Sequence, residues 1–373
     1  MPMLWDTKEF QDLRDSTKEF GQTHAERLAD ATEQGVFPRE VFAEMGGRGW
    51  VGSVTPIDAG GTGGGTLRYA ILEELSARSG LPAPQVSAQG QRWLVTFGTD
   101  VQKERYLAGV ARGSLIFCEG ISEPNAGSSL RDIRCFARRG GDRWYLTGEK
   151  THVNLGDDAD VCLVYAQTSE GLTAFLVDTD RPGVETAKTN PIGMRLLPTA
   201  DMWFQDVEVT EEDLLGELGG GLETFLTVFN MSRVGNAAAL VGYGCRAMAA
   251  AIDYAEQREV KESVVTDFQG IRWLVAEAAA KIAAAVYAYE DAAHAEDDSV
   301  KTSRAKLLAI DAADFAVNEA FALVGAHGLY HRSLWYPLLG DVKVLRTAGG
   351  SREVLRNHLA KRVLEDNHYQ GIA

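Results

Sequence analysis

Phe117-Cys118-Glu119-Gly120-Ile121-Ser122-Glu123-Pro124-Asn125-Ala126-Gly127-Ser128-Ser129 is the stretch on which the reading of this chain turns. Pro124 fixes its own φ and Gly127 opens backbone conformations that other residues avoid, so a strand entering this passage leaves it through a tight turn. Ser122, Ser128 and the neighbouring amides then converge closely enough to hold a phosphate or the polar edge of a flat ring. An ordinary strand-to-turn exit has the same spacing, and the stretch by itself leaves both readings open.

On its N-terminal side the pattern is helical. Phe10, Leu13, Phe20 and Leu28 recur at helical spacing through residues 5–35, and Pro38 opens a shorter piece that ends near Gly46-Gly47. The run Gly60-Gly61-Thr62-Gly63-Gly64-Gly65 interrupts this pattern. It has no following Gly-Lys-Ser or Gly-Lys-Thr and no βαβ context, so it reads as a flexible turn rather than a phosphate loop. From Leu67 to about Gly113 the helical period returns, with Ile71, Leu72 and Leu75 on one face and Thr99-Asp100-Val101-Gln102-Lys103 as a capped helix start.

On the C-terminal side the period changes to that of strands. Ser114 to Phe117, Arg143 to Leu146, Val161 to Tyr165, Ala174 to Val177 and Trp203 to Val209 are short runs separated by Gly, Asp and Pro, which predicts a compact antiparallel β domain ending near Gly216 to Gly221. From Leu222 onward the sequence is helical again. Phe225 to Gln257, Phe268 to Ala295, Val300 to Val324 and Val342 to Leu364 predict four long Ala- and Leu-rich helices in an antiparallel bundle. The 373 residues are enough for two or three domains around a large core, and the expected division is 1–112 helical, 113–218 β and 219–373 bundle.

Composition excludes several functions. With 37 basic and 53 acidic residues the net charge is −16, which argues against nucleic acid or an anionic membrane as the main partner while leaving room for a local basic pocket. Cys118, Cys135, Cys162 and Cys245 form no CxxC pair, so neither a zinc site nor a disulfide framework is indicated, and reduced cytoplasmic thiols are the simpler reading. Asp6, Lys8 and Glu9 stand where a signal peptide needs an apolar run, and no uninterrupted apolar stretch reaches about 18 residues, so a soluble, unexported protein is expected.

A helical domain, a β domain opened by Ser-Glu-Pro-Asn-Ala-Gly-Ser and a helical bundle, in that order, resemble the acyl-CoA dehydrogenase superfamily. Gly98-Thr99 with Gln102-Lys103 and Tyr106-Leu107, Gly148-Glu149-Lys150, Gly193-Met194-Arg195 with Thr199, Arg258, Asp267-Phe268-Gln269, Gly325-Ala326-His327-Gly328 and Gly350-Ser351 extend the resemblance over nearly the whole chain. It implies an α+β fold with an N-terminal α-helical domain, a middle antiparallel β-barrel and a C-terminal four-helix bundle. It also implies FAD between the β domain and the bundle. By position, Ile121, Ser122, Gly127, Ser128, Asn154 and Ser351 would hold the cofactor within one chain, and Arg258 and Gln269 would reach the FAD of a partner chain in a homotetramer or dimer. Read from spacing alone, Arg258 serves equally well in a surface ion pair with Glu256 or Glu262. His152 replaces the tryptophan, Asn154 the threonine, Lys261-Glu262 the Phe-Gly and Ala322 the glutamine usual in such sequences.

The resemblance also fixes where a catalytic base belongs. The family supplies a glutamate directly before the final Gly-Ser or Gly-Thr, and here that residue is Gly349; a second arrangement places it before an arginine of the first bundle helix, and here that residue is Ser232, before Arg233. Among substitutes, Glu119 shares a strand face with Ile121, and His327 and His331 lie in the segment that resembles a flavin contact. Glu353, one turn after Gly349, is the remaining candidate. The expected function is FAD-dependent oxidation of an acyl thioester carried by CoA or by an acyl-carrier protein, by default α,β-dehydrogenation, with the electron acceptor unassigned. The alternatives are same-fold flavin chemistry that needs no such base, namely elimination, desulfination or hydroxylation, and a non-catalytic subunit of a mixed tetramer.

Overall fold

Thr7 accepts the Phe10 amide and so starts α1 (Lys8–Thr23), the first of five principal helices that precede any strand in a computed structural model describing residues 4–330 and 332–365. It is followed by α2 (Ala25–Gln34), α3 (Arg39–Gly47), α4 (Gly65–Ser79) and α5 (Gln85–Phe97). Ten consecutive or near-consecutive positions of α4 are buried, including Glu73 and Glu74, so α4 is the central helix of this part rather than an amphipathic surface helix. The expected cap at Thr99 is present in both directions: Thr99 Oγ1 accepts the Gln102 amide at 3.2 Å, and Gln102 Oε1 accepts the Thr99 amide at 3.0 Å.

Seven strands form one sheet: β1 (Phe117–Gly120), β2 (Phe136–Gly140), β3 (Arg143–Asn154), β4 (Val161–Thr168), β5 (Gly171–Asp178), β6 (Val184–Lys188) and β7 (Thr199–Val209). Their order is β1-β4-β2-β3-β7-β6, with β5 also on β4. The β2–β3, β3–β7, β4–β5 and β6–β7 pairings are antiparallel, as expected. The expectation of a wholly antiparallel sheet is corrected at two places, because β1–β4 and β2–β4 are parallel. The excursion over residues 121–135 separates β1 from β2 and leaves neither in a hairpin with the other, so both lie alongside β4. Six successive residues of β4, from Val161 to Ala166, are buried, the signature of a strand covered on both faces. Strands β2 and β6 escaped the sequence reading because Arg138, Arg139, Glu185 and Lys188 are exposed and mask the period.

The bundle begins with α6 (Gly221–Gln257), whose 37 residues span about 55 Å at the α-helical rise. Gly235 and Gly242 let α6 approach α4 closely: a Cβ on the first would collide with the Tyr69 ring, and on the second with the Glu74 backbone. A small hairpin of β8 (Glu259–Val260) and β9 (Ser263–Val264) leads into α7 (Gln269–His294). Asp298 then caps α8 (Ser299–Val324). The predicted fourth helix, Val342 to Leu364, is instead two helices, α9 (Trp335–Leu345) and α10 (Arg352–Glu365). The interruption has a local cause. Gly349 and Gly350 have φ values of +65° and +95°, which end a right-handed helix. Among the described residues, no helix is long and apolar enough to cross a membrane.

Candidate functional site

The Ser122–Ser129 passage is held from beneath by a buried ion pair. Lys150 Nζ lies 2.7 Å from Glu123 Oε1, with both side chains at 2% exposure or less. The Glu123 carboxylate also accepts the Arg134 amide at 2.7 Å and the Cys135 amide at 3.0 Å, so three donors satisfy it. Lys150 donates further to Ile121 O at 3.3 Å, and Ser122 O accepts the Thr151 amide at 2.9 Å. Glu123 and Ala126 exchange both backbone hydrogen bonds across the Pro124-Asn125 turn. The next residues, Gly127, Ser128 and Ser129, are exposed, and their amides donate to no described residue.

Asn154, at the end of β3, is half-buried opposite Thr199 of β7, and its side chain makes no hydrogen bond with a described residue. His152 sits in a bulge of the β3–β7 ladder with φ +57°, its amide directed at Asp201 Oδ1 3.3 Å away and its Nδ1 3.0 Å from Thr151 Oγ1. Arg258 closes α6 and is exposed, and it makes no ion pair with Glu256, Glu262 or any other described residue. Gln269, at the start of α7, is likewise exposed and uncommitted among the described residues. Three free consecutive amides and a free carboxamide are donors of the kind that a pyrophosphate and a heteroaromatic edge accept, the groups FAD presents, and the free Arg258 guanidinium, at the far end of α6, is of the kind that grips a phosphate. Ser351 has a local duty as well: its Oγ accepts the Val354 amide at 3.3 Å at the start of α10.

The two positions where a base is expected, Gly349 and Ser232, are neighbours. A Cβ on Gly349 would stand 3.4 Å from Ser232 Oγ and 3.5 Å from Lys306 Nζ, and would overlap the Asn236 carboxamide nitrogen. Gln85 Nε2 donates to Asn236 Oδ1 at 2.8 Å and approaches Ser232 Oγ at 3.4 Å. Lys306 donates to Ala348 O and, at 2.8 Å, to Gly350 O, which ties the α9–α10 break to α8. Burial, helped by the nearby charge of Arg233, pushes the Lys306 amine down to about 7. Arg233 itself is pushed down to about 10 by burial, its Nε has no partner, and its guanidinium lies 4.3 Å from the Phe229 ring centroid. Gln85, Asn236 and Lys306 were missed in the sequence. Their signal was a polar residue inside Ala-rich helical runs, which is visible there for Asn236 before Ala237, Ala238 and Ala239.

Of the proposed substitutes for the base, Glu119 lies on β1 with Oε1 buried and unpartnered. Burial pushes its carboxyl up to about 8 against the opposing pull of Lys150. The Tyr165 hydroxyl, two residues along β4 from Glu119's register partner Leu163, is also buried and unpartnered. Glu353 is exposed on α10. His327 lies toward the other end of α6 from the Gly349 cluster. It is exposed and packs on Tyr254 with ring centroids 5.3 Å apart, and Tyr254 lies 18 residues beyond Asn236 on α6, about 27 Å along the helix axis. His327 therefore shares the Arg258 end of the bundle; His331 lies outside the described residues.

Three family models match the chain in succession: acyl-CoA dehydrogenase N-terminal domain over residues 7–114, middle domain over 118–207 and C-terminal domain over 219–364. The chain is 31% identical to a 3-(aryl)acrylate reductase of Clostridium sporogenes, covering 96% of this chain and 99% of that protein. It is 30% identical to a probable acyl-CoA dehydrogenase of Bacillus subtilis, with the same coverage. The butyryl-CoA dehydrogenase structure from Megasphaera elsdenii superposes with a TM-score of 0.90 at 26% identity, covering 96% of this chain and 98% of that one.

Proposed function

The chain belongs to the acyl-CoA dehydrogenase family, and from that premise we propose that it interconverts an acyl-CoA and its α,β-unsaturated counterpart, with Glu119 handling the proton. Membership makes it a flavoprotein oxidoreductase with FAD as cofactor. The single observation that carries the proton assignment is Glu119 Oε1, buried and unpartnered on the strand that leads into the Ser122–Ser129 loop, on a side chain that is otherwise half-buried. FAD, when bound, supplies two-electron acceptance and release. The chain contributes the rest. Gly127, Ser128 and Ser129 offer amides to the cofactor phosphates, Asn154 offers its carboxamide to the ring edge, and Glu123 with Lys150 keeps that loop in place. Glu119 takes the proton in one direction and returns it in the other. The relatives named as a reductase and as a dehydrogenase fit a site that works in either direction.

A second reading rests on a specific observation. The three atoms nearest a Cβ at Gly349 belong to an amide, a hydroxyl and an amine, from Asn236, Ser232 and Lys306. That donor set suits chemistry without α-proton removal, such as elimination or hydroxylation. One experiment separates the two: anaerobic spectra of the FAD-loaded protein with a panel of saturated acyl-CoAs, together with exchange of their α-hydrogens in D2O. Bleaching and exchange in the wild type, both lost in Glu119→Gln with FAD retained, support the first reading. Neither signal in the wild type supports the second.

Arg258 and Gln269 are exposed beside Val260, Phe268 and Trp273, which are 38%, 47% and 65% exposed. We place a second copy over this end of the bundle, with Arg258 directed at the partner's cofactor. Arg258→Met would then weaken FAD retention without unfolding the chain, and a stable FAD-bound monomer in light scattering would overturn the shared site.

A further inference from the structure

A cavity rich in basic side chains lies outside the residues discussed above. A cavity of about 870 Å³ separates α1 and α2 from the 190–197 loop, α6 and the start of α9. Five cationic side chains line it, Lys18, Arg78, Arg195, Arg246 and Arg332, against two acidic ones, in a protein of net charge −16. Most of this charge is spent locally. Arg195 is held by Thr32 O and Glu33 O, each at 2.7 Å, Arg332 pairs with Glu33 at 2.6 Å, and Arg78 pairs with Glu74 at 2.6 Å.

Lys18 makes no ion pair among the described residues but is exposed, whereas Arg246 is half-buried. Its guanidinium makes no hydrogen bond or ion pair with any described residue, although burial lowers its pKa. Asp341 is near enough to act on it electrostatically but is outside ion-pair distance and instead accepts the Met194 amide at 2.6 Å. Burial pushes the Asp341 carboxyl up to about 6, against the pull of that amide and of Arg246. Gly80, at φ +70°, makes room for the guanidinium: a Cβ there would stand 2.5 Å from Arg246 Nη2. A half-buried guanidinium that opens on the cavity without a hydrogen-bond partner among the described residues can take an anion, and its planar fork matches a carboxylate. The surrounding wall is largely apolar, including Leu28, Leu81, Leu197 and Leu334. One uncommitted inner charge matches a monoanion better than a dianionic phosphate.

We propose that this cavity binds a small amphipathic monocarboxylate, its carboxylate on Arg246 and its hydrocarbon body against the leucines, at a site separate from that of the acyl-CoA. The volume falls within the range usual for small-molecule pockets. The 190–197 loop runs directly into Thr199, the register partner of Asn154, and Leu155 donates to Pro198 O at 2.7 Å, so an occupant would also brace the strand end at the proposed ring edge.

The test is calorimetric titration of the FAD-loaded wild type with octanoate, with octan-1-ol as the uncharged control. Saturable octanoate binding is expected, with octan-1-ol at least tenfold weaker and Arg246→Met weakening octanoate roughly 10- to 100-fold through loss of a charge-assisted contact. If Arg246→Met fails to fold, Arg246→Lys and Ala29→Trp, the latter bulky at an exposed lining position of α2, should each weaken octanoate while leaving FAD content unchanged. Equal binding of acid and alcohol would overturn the proposal, as would no saturable octanoate binding. Binding unchanged in the cavity variants but lost in Asn236→Leu would assign octanoate to the Gly349 site instead, and binding seen only on dissociation of an oligomer would assign the cavity to a second copy. None of these outcomes bears on FAD or on Glu119.

Discussion

Replacing Gly349 with alanine tests whether this chain has room for a side chain at the position where the family resemblance places a base. The residue sits at φ +65°, a left-handed conformation that costs a non-glycine residue about 1–2 kcal/mol. Its new Cβ would also overlap the Asn236 carboxamide nitrogen, and overpacking of a buried site costs about 1–3 kcal/mol. The sum is a destabilisation of about 2–5 kcal/mol for Gly349→Ala. Asn236→Ala removes the overlapping atom but strands the Gln85 carboxamide, at about 1–3 kcal/mol. The double variant should therefore be less destabilised than the sum of the two singles by about the overlap term, 1–3 kcal/mol. Urea unfolding of all four proteins, with FAD saturating, measures this cycle. A Gly349→Ala cost below about 0.5 kcal/mol, or strict additivity, would refute the reasoning, since the first denies the backbone strain and the second the contact. The functional corollary is that Gly349→Glu alone yields an unstable protein without new activity, and that Gly349→Glu with Asn236→Ala is the combination in which a carboxylate can enter.

Lys150→Met should cost about 3–5 kcal/mol and release FAD, because it leaves the Glu123 carboxylate buried with only two amide donors; circular dichroism and flavin absorbance after gel filtration measure both effects. If Glu119 is the base, oxidation of an acyl-CoA should rise with pH to a plateau above about 8, the reverse direction should fall over the same interval, and Glu119→Gln should lose roughly 10²- to 10⁴-fold in turnover; a pH–rate profile in each direction checks this. Folding stability should carry the opposite sign for that carboxyl. Its pKa is raised in the folded state, so the unfolded chain releases its proton first and stability declines between about pH 4.5 and 8, a slope that Glu119→Gln removes. Lys306 acts the other way: its folded pKa of about 7 lies below the ordinary 10.5, so its cost is greatest at and below about pH 7 and fades as pH rises to 10.5, and Lys306→Met should flatten that part of the stability profile.

Much of the architecture was legible in the sequence, because helical and strand periods are local properties. The capped start at Thr99, the α4 and α6 runs, the alternation in β7 and the turn at Pro124 all follow from neighbours within a few residues. The same locality made the Ser122–Ser129 loop recognisable, and the family resemblance marked Gly349 and Ser232 as positions without a carboxylate. What the periods did not contain were contacts between residues remote in sequence. Gln85 meets Asn236 across 151 positions, and Lys306 meets Gly350 across 44. A lysine in an alanine-rich helix reads as a solvated surface group until the fold buries it against two carbonyls. His327 shows the same limit: its motif is local, and only the length of α6 reveals that its ring partner Tyr254 lies about 27 Å along the helix from Asn236. The parallel pairings of β1 and β2 with β4, the split of the last long helix and the unpaired Arg246 likewise depend on which surfaces are brought together. Sequence determined the elements and the loop that offers free amides; only tertiary packing decided which polar groups lost their water, and burial is what shifts the protonation of Glu119 and Lys306.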